Sequence, residues 1–257
     1  MTRLAWLRRP IAHRGLHDAA RGVIENSSSA IEAAAAKGYA AEVDLRQAGD
    51  GEVMVFHDAT LERLTEGSGP LGALTARQLR RIPFKGTGDR MQSLGELFDQ
   101  VAGRVPLVLE VKSDWDGRQP FAARLAEVIA AYAGPVAVMS FDPHMIAAFR
   151  ARDRRTPRGL VAERFADAGY WRQLSALQRF LLRHLLMAGF ARPHFIAYDV
   201  DALPALAPWA GRHLFGWPLL TWTVRTPEQR RRAERWADAM IFEGFEPRSS
   251  GRMGDQP

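Results

Sequence analysis

The sequence contains no cysteine, which excludes disulfide bonds and any metal site built on thiolates. It also lacks a stretch approaching the roughly 20 consecutive apolar residues that a transmembrane helix requires. Arginines at positions 3, 8 and 9 leave no room for the apolar core of a secretory signal peptide. From these absences we expect a cytoplasmic protein.

A glycine-rich phosphate turn with GxGxxG spacing is missing as well, which argues against a dinucleotide-binding open sheet. Acidic residues are fewer than basic ones: the chain has 29 Asp and Glu against 35 Lys and Arg, which gives a net charge of +6. This excess favours an acidic partner such as a phosphorylated small molecule, a lipid headgroup or nucleic acid. The arginine-rich runs 150–158 and 228–235 have no interleaved aromatic residues, so we expect solvated helix faces and no nucleic-acid binding.

Eight apolar runs of β type alternate with helical patterns along the chain. The runs are 10–15, 40–46, 106–112, 136–142, 158–163, 195–200, 219–224 and 238–243, with helices expected at 28–38 and 120–134 among others. This alternation predicts an α/β fold, a (β/α)8 TIM barrel forming a single domain over 1–257. Residues 59–105 break the alternation with Gly- and Pro-rich turns, and we interpret them as a small insertion after the second strand.

The stretch 41–58, "AEVDLRQAGDGEVMVFHD", combines this strand pattern with two acids. Glu42 and Asp44 stand two positions apart, so their carboxylates lie on the same face of the second strand. If Asp50 and Gly51 form a two-residue hairpin turn, His57 lies directly opposite Asp44. A slip of one residue would turn His57 to the other face.

Two further strand ends carry ionisable residues. His13 and Arg14 lie where the first strand meets its loop, and Glu110 and Lys112 share one face of the third strand. The carboxyl ends of barrel strands form the mouth where catalytic groups gather. Each acid alone is explained by an ion pair, such as Glu110 with Lys112. A whole group of buried like charges, in contrast, requires a cation or several hydrogen bonds.

A hard divalent cation meets that requirement, because three carboxylates with open positions suit Mg²⁺ or Ca²⁺. The predicted ligands are Glu42, Asp44 and Glu110. Cationic side chains beside such an ion would bind a phosphate. Two histidines flanking that phosphate can serve as general acid and general base, which predicts phosphodiester cleavage.

The sequence resembles the glycerophosphodiester phosphodiesterases. The resemblance rests on "AHRG" (12–15), "IENSSSAIEAA" (24–34), "AEVDLRQAGDGEVMVFHDATLERLT" (41–65), "LEVK" (109–112) and "WTV" (222–224), which occur in the family's order. It implies a barrel that hydrolyses a small glycerophosphodiester to glycerol 3-phosphate and an alcohol through a cyclic phosphate. It implies roles as follows: His13 and His57 in acid–base catalysis, Arg14 and Lys112 on the phosphate, Trp222 at the glycerol side, and the three acids on the metal.

Two features leave alternatives open. Members of the family that the sequence resembles usually have a Thr-Asp-x-Pro segment after the last strand, whereas this chain has "IFEGFEP", which leaves open whether Glu243 replaces the aspartate. The segment 170–190 is longer and more apolar than a barrel helix requires; we favour a core-facing amphipathic helix with exposed Arg172, Arg179 and Arg183. The alternative is a weak contact with an anionic membrane, which would point to a lysophospholipase D-type enzyme. A noncatalytic phosphate- or nucleic-acid-binding module is the remaining alternative.

Overall fold

Eight parallel strands close into a barrel in the computed structural model, which describes residues 4–115, 120–167 and 169–247. The strands are β1 (Ile11–Ala12), β2 (Ala40–Gln47), β3 (Val53–Val55), β4 (Leu107–Val111), β5 (Val136–Ser140), β6 (Arg158–Ala162), β7 (Phe195–Asp199), β8 (Leu219–Val224) and β9 (Ala239–Phe242). The barrel order is β1-β2-β4-β5-β6-β7-β8-β9, and β9 pairs with β1 to close it. β3 is the exception, since it pairs antiparallel with β2. The predicted (β/α)8 barrel is confirmed.

Helices follow the strands around the outside of this barrel. They are α1 (Ser28–Ala36), α2 (Ala76–Leu79), α3 (Leu94–Val101), α4 (Pro120–Ala130), α5 (Pro143–Arg152), α6 (Ala176–Arg183), α7 (Ala188–Ala191), α8 (Leu206–His213) and α9 (Pro227–Trp236). Their starts follow from local sequence: the Ser27 hydroxyl accepts from the amide of Ala30, and Thr226 and Gln229 form a reciprocal capping box ahead of α9. These side chains satisfy amides that the first helical turn leaves unpaired.

Alternation along the strands sorts apolar side chains into two layers. One layer fills the barrel and includes Ile11, Ala40, Val108 and Ile241, while Leu7 from a preceding short 3-10 helix packs against it. The outer layer lies between strands and helices. The inward positions at the amino ends of the strands are therefore occupied by hydrocarbon, and polar chemistry is left to the carboxyl ends.

The segment between β3 and β4 contributes to two different cores. Its first part, with Leu61, Leu79 and Phe84, packs with Phe56 in a small cluster of its own. Its last part is α3, whose buried apolar face joins the outer layer of the barrel. α3 thus lies where a barrel helix between β2 and β4 belongs, although it falls inside the range 59–105 expected as an insertion.

None of the helices in the described ranges is both long and apolar enough to cross a lipid bilayer.

Candidate active site

The strands that are apolar at their amino ends carry charged residues at the carboxyl ends of the same inward faces. On β2 the inward row continues from Ala40 to Glu42 and Asp44, and on β4 it continues from Val108 to Glu110. Asp44 and Glu110 are register partners in adjacent strands. The period of two that fills the barrel with hydrocarbon therefore also brings these acids together at its mouth.

The three predicted metal ligands form one group. Glu42, Asp44 and Glu110 each offer a carboxylate oxygen within 4.8 Å of the others, and all three are buried. Burial and the neighbouring charges of Asp44 and Glu110 raise the pKa of Glu42 well above its ordinary value. The group therefore attracts positive charge strongly.

The two predicted phosphate-binding cations lie directly against these acids. Lys112 Nζ is 2.8 Å from Asp44 Oδ1 and also contacts Glu110. Arg14 Nε is 3.0 Å from Asp44 Oδ2, and the Arg14 amide donates to Glu42 Oε2 at 3.0 Å. Burial opposes ionisation of Asp44, but Lys112 and Arg14 outweigh it and hold the pKa of Asp44 below its usual range.

The group fits a divalent cation on two observations. Glu42 Oε1 is buried and has no hydrogen-bond donor among the described residues, which is costly unless a cation or ligand satisfies it. The donor set is three carboxylates without nitrogen or sulfur, which hard cations prefer. Glu42, Asp44 and Glu110 are thus suited to bind a divalent metal ion.

His13, at the end of β1, is held by Glu243, the residue whose role the sequence left undecided. Its Nδ1 lies 2.6 Å from Glu243 Oε2, and Glu243 also receives two hydrogen bonds of 3.0 Å from Arg225. Burial lowers the pKa of His13, although the bond to Glu243 opposes that shift. Because Nδ1–H donates to a carboxylate, the neutral ring presents an unprotonated Nε2.

His57 has an equivalent partner. Its Nδ1 lies 2.6 Å from Asp58 Oδ1, and Arg63 binds both oxygens of Asp58 at 2.5 and 2.9 Å. Burial lowers the pKa of His57, and the nearby Asp44 opposes the shift. The mouth therefore holds two histidines, each oriented by its own carboxylate.

The turn after β2 differs from the predicted two-residue turn. Leu45 pairs with Val55, and this register makes 49–51 a three-residue loop. Gly51 adopts a φ of +88°, which a glycine accepts without steric cost and which is common in such loops.

The added residue moves the partner of Asp44 by one position. Phe56 donates its amide to the carbonyl of Asp44, so the prediction that His57 lies directly opposite Asp44 was wrong. His57 still reaches the site because β3 ends at Val55, and strand alternation no longer governs the residues that follow.

A hydrogen-bonded network behind the site was not assigned from the sequence. Asn26 donates to Asp44 Oδ2 at 2.9 Å and accepts from the Asp44 amide at 3.1 Å. Glu25 binds Arg14 at 2.6 Å and also bridges to Arg63, which holds the partner of His57. The adjacent letters E and N in "IENSS" were the available signal, but they lie in a loop whose contacts alternation does not predict.

Trp222 on β8 belongs to a wall of aromatic rings at the mouth. Its ring centroid lies 5.4 Å from that of Phe141, which lies 5.3 Å from Trp171. Tyr170 continues the series, 4.9 Å from Trp171. The predicted residue therefore belongs to a continuous row of four aromatic rings, Trp222, Phe141, Trp171 and Tyr170.

A barrel whose mouth combines carboxylates suited to a divalent cation, adjacent cations and two carboxylate-bound histidines is typical of metal-assisted phosphoesterases. Within that class the chain belongs to the glycerophosphoryl diester phosphodiesterase family, whose model matches residues 13–244.

Individual relatives align over shorter stretches. Glycerophosphodiester phosphodiesterase 1 of Bos taurus is 45% identical over 74 residues, which cover 28% of this chain and 21% of that protein. A glycerophosphodiester phosphodiesterase of Caldanaerobacter subterraneus is 32% identical over 111 residues, 40% of this chain and 44% of that protein. The alignments thus span less than half the length of these curated relatives.

Solved structures match over most of the barrel. A phosphodiesterase of Oleispira antarctica, solved with the product sn-glycerol-3-phosphate, superposes with a TM-score of 0.74 at 18% identity and covers 91% of this chain and 92% of that one. A glycerophosphodiester phosphodiesterase of Thermotoga maritima gives a TM-score of 0.67 at 22% identity, with 90% and 92% covered. At these identities the likeness shows the shared fold.

Proposed function

We propose that the protein hydrolyses glycerophosphodiesters to glycerol 3-phosphate and an alcohol. The observation that carries the proposal is the convergence of the buried group Glu42, Asp44 and Glu110 with two carboxylate-bound histidines at one barrel mouth. Family membership supports the substrate class. The Oleispira protein's complex with sn-glycerol-3-phosphate supports the product.

The three carboxylates would hold Mg²⁺ or Ca²⁺. A divalent ion there would supply positive charge to the oxygens of the reacting phosphate. Both metals accept all-oxygen ligand sets, and the buried Glu42 Oε1 without a donor is an oxygen that either ion would satisfy.

Arg14 and Lys112 would bind the phosphate from the side of the carboxylates. Burial opposes the charged form of Lys112, but Asp44 and Glu110 outweigh it and raise the pKa of Lys112 above its ordinary value; Asp44 and Glu25 likewise outweigh burial for Arg14 and raise its pKa. Both therefore stay cationic at the pH where a phosphodiester is anionic. Trp222 would cover the glycerol portion with its ring.

The histidines would move the protons. The glycerol hydroxyl beside the phosphate attacks phosphorus, the bond to the alcohol oxygen breaks, and a cyclic phosphate forms. One histidine accepts the hydroxyl proton on Nε2, and the other, protonated, donates to the leaving alcohol. Water then opens the ring with the two roles exchanged. Because the nucleophile is tethered to the substrate, the first step has little entropic cost.

Release of choline from glycerophosphocholine, with Mg²⁺ or Ca²⁺ and with EDTA, tests the proposal. We expect metal-dependent turnover that His57→Ala lowers by about 100- to 10,000-fold. His213→Ala, at an exposed histidine on α8, serves as the matched control and should leave turnover unchanged. Unaltered turnover in His57→Ala would remove His57 from the mechanism. Binding of glycerophosphocholine without turnover under any metal condition would instead favour the noncatalytic binding module.

A further inference from the structure

Exposed apolar side chains are concentrated in one part of the barrel mouth. We call residues 169–192 the rim segment. Of nine large apolar side chains that are exposed in the described ranges, five belong to it: Tyr170, Leu177, Phe180, Leu186 and Phe190. The segment also contains four arginines and no Asp or Glu. Apolar and cationic surface therefore coincide, a combination that is typical of proteins that lie on anionic lipid.

α6 buries one apolar face, as expected from the sequence, but also exposes apolar residues to solvent. Leu182 is its buried residue, whereas Leu177 and Phe180, three positions apart, are 66% and 54% exposed. Arg183 is exposed beside them. The expectation of a core-facing amphipathic helix thus accounts for one face of α6 and leaves a second apolar face in solvent.

The rim segment lies at the catalytic end of the barrel. Gln178 and Leu182 share a cavity of about 250 Å³ with Trp115 and Asp142, which follow the carboxyl ends of β4 and β5. Its first residues reach further inward.

Those first residues line the site itself. Tyr170 and Trp171 border a cavity of about 150 Å³ together with Glu110 and Lys112. The aromatic wall from Trp222 to Tyr170 therefore joins the acidic group to the exposed apolar face.

A second copy of this chain fits the rim segment poorly. Two such faces packed on each other would oppose arginines to arginines without an acid within either segment to compensate. An anionic bilayer supplies the missing negative charge, and each arginine near its surface strengthens binding about fivefold.

We propose that the rim segment docks the protein on anionic bilayers, and that the aromatic wall receives the acyl chain of a lysophospholipid from that surface. The second part rests on the proposed phosphodiesterase activity and names its substrate class. The docking stands independently of catalysis. The reaction is the same one: the P–O bond to the head-group alcohol breaks, which leaves an acylated glycerol phosphate.

Flotation with vesicles tests the docking without any turnover. Vesicles of phosphatidylcholine alone are compared with vesicles that contain about one quarter phosphatidylglycerol. We expect the wild type to float with the anionic vesicles at low salt and to be released at high salt. The double variant Leu177→Glu and Phe180→Glu should lose at least tenfold in vesicle binding.

A matched control uses exposed apolar residues at the other end of the barrel. Leu214 and Phe215 follow α8 and precede β8, so they lie at the amino end of the strands. Leu214→Glu with Phe215→Glu should bind anionic vesicles as the wild type does. Equal loss in both double variants, or no flotation of the wild type, would overturn the docking. A concentration-dependent dimer that only the rim variant abolishes, with no vesicle binding, would assign the face to a second copy instead.

Activity on two substrates tests whether the aromatic wall receives an acyl chain. The rim variant should turn over soluble glycerophosphocholine normally but hydrolyse lysophosphatidylcholine held in anionic vesicles at least tenfold more slowly than wild type. A wild type that floats and cleaves only glycerophosphocholine overturns the acyl-chain assignment. A wild type that floats and cleaves neither substrate overturns the phosphodiesterase proposal and leaves the docking in place.

Discussion

Replacing Glu243 by Gln tests whether the carboxylate of Glu243 positions and stabilises His13 for catalysis. The substitution keeps the size of the side chain and removes the negative charge that His13 Nδ1 contacts at 2.6 Å. That charge stabilises the imidazolium which forms whenever His13 takes up a proton. Glu243 is only 22% exposed, so water compensates little for its loss.

The magnitude follows from the type of contact. A hydrogen bond to a charged group contributes about 1.5–3 kcal/mol. If this interaction energy is lost only in the transition state, kcat decreases by roughly 10- to 150-fold. Glu243 raises the pKa of His13 against the effect of burial. The limb of the pH–rate profile that reports His13 should therefore move to lower pH in Glu243→Gln, whichever proton it transfers.

The assay is choline release from glycerophosphocholine across pH, with thermal unfolding as a check that the variant folds. Arg225→Gln is the matched control, because Arg225 binds the same carboxylate but is 53% exposed, and its side-chain hydrogen bonds in the described part of the chain go to Glu243 and not to His13. We expect a smaller decrease in kcat there. Wild-type kcat and an unshifted pH profile in Glu243→Gln would refute the role assigned to this residue.

Three further predictions concern the acidic group and its supports. Burial and the neighbouring carboxylates raise the pKa of Glu42 when no cation is bound, so Mg²⁺ and a proton should compete for this carboxylate. Calorimetry should show Mg²⁺ binding more tightly, with proton release, as the pH rises from acidic to neutral, and an affinity that does not change with pH would contradict this. Gly15→Ala should lower the free energy of unfolding in urea by at least about 2 kcal/mol more than Gly38→Ala does. Both glycines have a left-handed φ, but only at Gly15 would an added Cβ meet backbone atoms, at 2.7 Å. Equal losses in the two variants would refute this clash. Asn26→Ala should lower the free energy of unfolding by about 2–4 kcal/mol because it removes both hydrogen bonds to Asp44, and a loss below about 0.5 kcal/mol would show that water replaces the amide.

The barrel and its acidic group were predictable because both follow from the period of two. Continuous apolar runs identified the parallel strands, and the same alternation that buries Ala40 and Val108 placed Glu42 and Glu110 on inward faces. Because the carboxyl ends of all barrel strands lie at one mouth, the fold also predicted that acids from strands distant in sequence are close in space.

The turn and the partners of the histidines were beyond such reasoning. The hairpin gained one residue because Gly51 adopts a positive φ while Asp50 does not; a two-residue type I′ turn needs a positive φ at both, and the letters "GDG" leave that choice open. Glu243 is 230 positions from His13, so only the closed barrel reveals their contact. The direction of α6 was also ambiguous, since apolar residues occur on both of its faces and only packing decides which is buried.

If the mouth of this barrel is a metal-dependent phosphodiesterase site, ³¹P NMR of glycerophosphocholine mixed with the wild-type protein should show the reaction itself. With Mg²⁺ or Ca²⁺ we predict that the diester resonance is replaced by that of glycerol 3-phosphate, that EDTA halts the change, and that excess metal restores it. A diester signal that persists with both metals would show that the mouth does not cleave this substrate, and turnover that EDTA does not affect would show that it needs no divalent metal.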